Sequence, residues 1–229
     1  MPAELPPRIF LLSPANCGGK RAELLLGGRG KFALAYELQD GGTITLGEAF
    51  SFMSGLYFRG KLTYARRFAC PPTGVAGIHI ITTNRGLLSP DTPVTTDDLR
   101  EFATGEIQPL EPRYRNPLLR DLRAIESSRD SAQPDIVLLG SIATAKYVDV
   151  LLEVIGERLL FPSEFVGRGD MSRGAMLLRA TRAGAELDYT PIATAVRRGR
   201  RPTKLQPSSA ETSNADDTTT PTAAASIDD

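Results

Sequence analysis

The chain of 229 residues contains no tryptophan, one histidine and two cysteines, and its Lys+Arg and Asp+Glu counts are equal at 27 each. Each shortage excludes something. Cys17 and Cys70 cannot make a disulfide framework, so reduced thiols in a cytoplasmic setting are the expectation. One histidine, His79, and two distant cysteines argue against a structural zinc site and a histidine-containing triad; no metal or cofactor is expected. His79 lies in the apolar run GIHIITT, where a packed or sheet-edge role is expected. Zero net charge means that any affinity for nucleic acid must come from a local patch. No apolar run approaches the ~18 to 20 residues that span a bilayer. MPAELPPR lacks the charged-then-apolar pattern of a signal peptide, so no membrane association is expected.

The remaining composition suits one sizeable domain and a tail. The expected domain covers residues 1–192. From 193 the chain carries a basic block with Arg197, Arg198, Arg200 and Arg201, then a stretch rich in Ser, Thr, Ala and Asp. Such a segment buries too little to offset its ordering entropy, and disorder over 193–229 is the expectation.

Upstream, RIFLLS (8–13), GIHIITT (77–83), DIVLLG (135–140) and ERLLFP (157–162) read as buried strands bounded by turn residues. Helical patterns fall at 20–26, 32–38, 57–68, 97–102, 118–127, 143–155 and 171–182. The alternation predicts an α/β fold, a three-layer αβα sandwich with a mainly parallel central sheet. An unusual loop follows each strand: SPANCGGK, TNRGLLSPDTP, GSIATAKY and FPSEFVGRGDMSRG. In an open parallel sheet these loops share one edge, where ligands bind.

Several residues in or near these loops are candidates for chemistry. CGGK lacks the first glycine and the hydroxyl residue of a phosphate loop, because Pro14 and Arg21 stand there. Cys17 precedes a helix start, which would lower its thiol pKa and permit a nucleophile; a small buried cysteine is the competing reading. In YFRGKLTYARRF, Tyr57, Lys61 and Tyr64 or Phe68 share one helical face. That face is either a buried aromatic stripe with snorkelling cations or a basic track for a phosphate backbone. In GRGDMSRG, Asp170 is placed to cap a helix, Gly167 and Gly169 free the backbone, and Arg168 and Arg173 flank it. A phosphate site and a solvated connector both fit this stretch.

The stretch IVLLGSIATAKYVDVLLEVIGERLLFPSEFVGRGDMSRG resembles the second half of uracil-DNA glycosylases. Gly140-Ser141, Lys146, Pro162-Ser163 and Arg168-Gly169 carry the likeness. LLSPAN and Met171-Ser172-Arg173 are similar to segments of the YaaA peroxide-stress family. Cys17, Lys20, Leu56-Tyr57 and Gly86-Leu87-Leu88-Ser89-Pro90 resemble small domains related to those of archaeosine-synthesis enzymes. The glycosylase resemblance implies a uracil-DNA-glycosylase-like fold and nucleic acid as partner, DNA ahead of RNA, or a nucleotide. On this reading Arg168, Gly169, Ser172 and Arg173 hold a backbone phosphate, and Lys20, Arg59, Lys61 and Arg85 widen the positive rim. Ser13, Ser141, Lys146 and Ser163 belong to the same binding set. Asn16, Asn84 and Asp91 would read or activate a base drawn from the stack. Phe161 stands where the glycosylase pattern has its histidine, and one missing donor typically costs ~100- to 1000-fold in rate. Simple uracil excision is therefore not expected. A second reading is a small-molecule enzyme on a nucleotide or nucleobase, with Cys17 and Lys20 carrying covalent or acid-base chemistry. A third is a noncatalytic stress or scaffold protein whose tail recruits a partner.

Overall fold

The computed structural model describes residues 6–28, 30–39, 41–127, 133–143 and 145–196. The tail from 197 onward, with its basic cluster, lies outside the described residues.

Four apolar segments form the parallel part of the sheet: β1 (Arg8–Leu12), β3 (Ile78–Ile81), β6 (Asp135–Leu139) and β7 (Leu159–Pro162). In β1 all five residues are buried. Successive side chains point to opposite faces, so both faces of this strand are covered, which explains the unbroken apolar run. The sheet has six strands in the order β4-β3-β1-β6-β7-β8. β1 pairs in parallel with β3 on one side (Phe10 opposite Ile78) and with β6 on the other (Ile9 opposite Ile136). Two short antiparallel strands, β4 (Leu87–Leu88) and β8 (Tyr189–Pro191), close the edges. A separate two-stranded pair joins β2 (Ile44–Thr45) to β5 (Pro93–Val94). The fold is thus mixed α/β with a mainly parallel six-stranded sheet.

Eight α-helices are found among the described residues: α1 (Lys20–Leu26), α2 (Ala33–Gln39), α3 (Leu46–Ser54), α4 (Leu56–Phe68), α5 (Thr96–Thr104), α6 (Pro112–Ser127), α7 (Ala145–Ile155) and α8 (Asp170–Ala183). Capping boxes start two of them. Thr45 and Glu48 exchange hydrogen bonds at the head of α3, and Thr95 and Asp98 do so at α5. Helix α3 and strands β2, β4, β5 and β8 are additions to the sequence expectation.

Helices α4 and α8 meet closely. A Cβ on Gly60 would lie 2.8 Å from the Gly174 carbonyl oxygen, and one on Gly174 would lie 2.9 Å from the Tyr57 Cα. The two glycines let the helix backbones touch. This brings Tyr57 and Lys61 of α4 beside Asp170 and Arg173 of α8. No described helix is long and apolar enough to cross a membrane.

Candidate functional site

After β1 the chain moves to β3 on one side, and β6 then takes the other side of β1. The reversal opens a crevice at the C-terminal ends of β1 and β6, where open α/β sheets hold ligands. A cleft of about 630 Å³ lies there, within the ~300 to 1000 Å³ usual for ligand sites. Segment 13–18 forms one wall, with Thr83 after β3 and Ser141 after β6. Phe102, Ala103 and Ile107 add apolar surface, and Tyr57, Lys146, Tyr147 and Asp170 complete it. Another hollow, of about 620 Å³, lies between α1, α2 and α5 and holds none of the predicted residues.

At the floor, Ser13 directly follows β1. Its N–H donates to the Leu139 carbonyl at 3.2 Å, which ties the two strand ends together. Its hydroxyl lies 3.3 Å from the same oxygen. Lys61 reaches it from α4 and is only 1% exposed. The Lys61 amine donates to the Ser13 carbonyl and stands 2.9 Å from Ser13 Oγ. It also lies 4.7 Å from the ring centres of both Tyr57 and Phe58. Burial lowers its pKa to about 7; Asp170 works against that shift and Arg173 adds to it. Tyr147 accepts from the Ser141 N–H at 3.0 Å and donates to the Ser141 carbonyl at 2.9 Å, fixing the loop after β6. Burial raises the Tyr57 and Tyr147 phenol pKa values.

Of the predicted residues, the cleft gathers Ser13, Asn16, Cys17, Ser141 and Lys146. Asn16 is exposed, and its Oδ1 accepts from the Gly18 N–H at 3.0 Å. Lys146 is exposed at the cleft. Cys17 is a wall residue, yet burial pushes its thiol up to about 12, which overturns the expected lowering by the helix start. A group that stays a thiol at neutral pH is a poor nucleophile.

The others stand elsewhere or in other roles. Lys61 does not widen a positive rim: it is buried, and its amine is spent on Ser13. Arg173 is also buried, at 8% exposure. Its guanidinium donates to the Phe165 carbonyl at 3.1 and 3.2 Å and lies 3.6 Å from Asp170. It braces the turn before α8 and offers no open fork to a phosphate. Arg168 donates to the Glu164 carbonyl at 3.0 Å and leans on Ser172 Oγ at 3.5 Å, which uses Ser172 as well. Gly169 caps α8 by backbone alone; Asp170 is the first residue of the helix, and its carboxylate makes no cap bond. Arg85 is neutralised by Asp98 and Glu101. Asp91 pairs with Arg66 at 2.8 Å on an exposed surface and does not face the cleft. Asn84 lies outside the lining, with its buried Oδ1 unpartnered. Ser163 bonds the Asp188 carbonyl at 3.3 Å and also lies outside. Lys20 and Arg59 are exposed and do not line the cleft.

Sequence reading missed Tyr147, Thr83 and Phe102 as wall residues. Tyr147 carried a signal, since an aromatic with a polar tip followed the Gly-Ser turn in GSIATAKY. Thr83 and Phe102 meet at the cleft only through tertiary packing: Thr83 Oγ1 donates to the Phe102 carbonyl at 3.1 Å. No protein-family model matches this chain, and no curated protein or solved structure matches it.

Proposed function

We propose that the cleft binds a nucleoside or nucleotide and that the chain is an enzyme acting on it, built on a three-layer αβα fold of the uracil-DNA-glycosylase-like kind. The observation that carries this reading is the convergence of polar tips and flat apolar surface at the switch point. Tyr57, Phe102 and Ile107 supply apolar walls for a planar base. Ser13, Asn16, Thr83 and Ser141 supply hydrogen-bonding groups around it. The Asp170 carboxylate, 69% exposed, suits sugar hydroxyls. Lys146 is placed to meet a phosphate. Phe161 is fully buried in β7 and outside the cleft, so it supports no role in stabilising a departing base.

Thermal melts and calorimetric titration with nucleosides, mononucleotides and single-stranded oligonucleotides at two salt concentrations test this. Ligand at ~100 times its Kd stabilises by about 2.7 kcal/mol, which for a chain of this size is a Tm rise of about 5 to 10 °C. Lys146→Ala should weaken a nucleotide about tenfold while leaving its nucleoside unchanged. Failure of every nucleoside and nucleotide to shift the melt would sink the reading.

One observation favours a strand-borne form of the same ligand. Gly169, whose Cβ position has nothing within 4 Å, adjoins Asp170 at the cleft wall and leaves room for a passing backbone. Binding of oligonucleotides alone, with steep loss at higher salt, would select that form.

A further inference from the structure

The closest pairing of reactive groups at the cleft is Ser13 with Lys61, and the nucleoside reading leaves its chemistry unused. Ser13 Oγ and Lys61 Nζ stand 2.9 Å apart at its floor. Ser13 faces the cavity; Lys61 lies behind it, sealed from solvent. Lys61 forms no ion pair among the described residues, since Asp170, the carboxylate of this region, turns to Arg173 at 3.6 Å. An ammonium carries three N–H donors, and only two bonds are made here, both to Ser13. A neutral amine fits the same two contacts and, like the ammonium, leaves one N–H without a partner. One N–H goes to the Ser13 carbonyl, and the lone pair faces Ser13 Oγ, whose proton has only to turn to it from the Leu139 carbonyl at 3.3 Å. A bare backbone stands alongside: a Cβ on Gly140 would lie 3.2 Å from Ser13 Oγ and 2.9 Å from the Tyr147 hydroxyl. Glycine there leaves space against the serine.

We propose that Ser13 is a nucleophile and Lys61 its general base, acting on the carbonyl of a carboxylic ester. The pair shares the cleft and Ser13 with the nucleoside reading, which uses Ser13 only as a hydrogen-bonding group. In the first step Ser13 Oγ bonds to the ester carbon and its proton passes to Lys61 Nζ, while the carbonyl π pair moves onto oxygen. Collapse restores the carbonyl and expels the alcohol oxygen, which takes the proton from Lys61. Water then gives a proton to Lys61 and attacks the acyl carbon. Ser13 Oγ leaves and recovers that proton, and the acid is released. Carbonyl chemistry fits better than phosphoryl transfer. A base must be neutral to act, so Lys61 would contribute no charge to phosphoryl oxygens, and the Asp170 carboxylate would repel them.

The groups facing Lys61 set its pH behaviour. They are Tyr57 and Phe58 on its own helix, Asp170 and Arg173 on α8, and Ser13 at the end of β1, with Tyr147 of α7 beside Ser13. Burial is the largest influence, and it favours the neutral amine above about pH 7.

The test uses the full chain, a fluorophosphonate probe and p-nitrophenyl acetate. The expected result is one probe per chain on the peptide holding Ser13, with a rate that rises with pH through neutrality. Ser13→Ala should abolish labelling. Lys61→Met and Lys61→Arg should each slow it at least ~100-fold, because neither can accept the proton at neutral pH. Lys61→Arg keeps the cation and serves if Lys61→Met does not fold. Absence of Ser13 labelling at pH 8, labelling elsewhere, or equal rates in a folded Lys61 variant would overturn the proposal. If neither variant folds, a wild-type rate that is flat across neutral pH overturns it, and a rise supports it. The probe contains no nucleoside, so a labelled Ser13 without nucleoside binding would uphold the pair and remove the other reading, and the converse separates them equally.

Discussion

At Lys61 the folded chain holds an amine that water would keep protonated up to about pH 10.5, its ordinary value, whereas burial brings it to about 7. The unfolded chain therefore binds a proton that the folded chain lacks between those two values. Stability contributed by this residue rises with pH across that window, with a slope approaching ~1.4 kcal/mol per pH unit. Below about pH 7 its penalty is constant, and above about 10.5 it vanishes. Urea midpoints from pH 6 to 9 should show the wild type gaining on Lys61→Met above pH 7 and running parallel below it. Parallel curves over the whole range would mean that Lys61 stays charged in the fold. The sequence placed Lys61 on the aromatic face of its helix through the spacing Tyr57, Lys61 and Tyr64. It could not say whether the amine would snorkel to water or end on Ser13. That outcome depends on the loop after β1, 48 positions away.

Among elements, the crossing of α4 and α8 carries the site. Gly60 and Gly174 act as flat spots that let the two backbones meet, so that Lys61 reaches Ser13 from one helix while Arg173 braces the turn of the other. Gly174→Ala would place a Cβ 2.8 Å from the Leu56 carbonyl oxygen. Such overpacking should cost about 1 to 3 kcal/mol and slow labelling of Ser13 by displacing α4. Gly169→Ala is the control: its φ of −82° suits any residue and its Cβ meets nothing within 4 Å, so the urea midpoint should barely move. From sequence, the glycines of GRGDMSRG invite an anion-site reading, yet Gly174 serves packing. Helix α3 was legible from its capping box, Thr45-x-x-Glu48, and from Leu46, Ala49, Phe50 and Met53 at i, i+3, i+4 and i+7, a pattern that sequence reading missed. The edge strands β4 and β8, two and three residues long, are too short for any period to show.

Over the whole molecule, strand order decides where the functional groups meet. The opposite end of the sheet is held by a separate network. Arg8, 6% exposed, pairs with Glu186 and lies 3.8 Å from Asp135 at the start of β6. Its guanidinium sits over the Tyr189 ring, and Tyr189 bonds Tyr64 at 2.6 Å and Glu186 at 2.9 Å. The network joins β1, β6, α4 and the segment leading to β8, far in sequence but adjacent in space. Arg8→Ala leaves Glu186 without this partner inside the fold and should cost about 3 kcal/mol of unfolding free energy. Because the network lies at the N-terminal end of β1 and Ser13 follows its C-terminal end, the folded variant should keep its Ser13 labelling rate. A stability loss under 1 kcal/mol would show that Arg8 is dispensable.

The sequence by itself determined the α/β class, the four parallel strands and the expectation that unusual loops gather at one edge. Those follow from local apolar runs and from the chemistry of turns, which act over a few residues. Only the tertiary structure decided which loop residues share a cleft. It buried Arg173 on the Phe165 carbonyl, tied Arg168 and Arg85 to carbonyl and carboxylate partners, took Asp91 to a surface ion pair, and buried Lys61 against Ser13. The physical reason is that a cation's fate depends on which acceptors come within about 3 Å of it, and those acceptors are set by strand order and helix crossing across dozens of intervening residues.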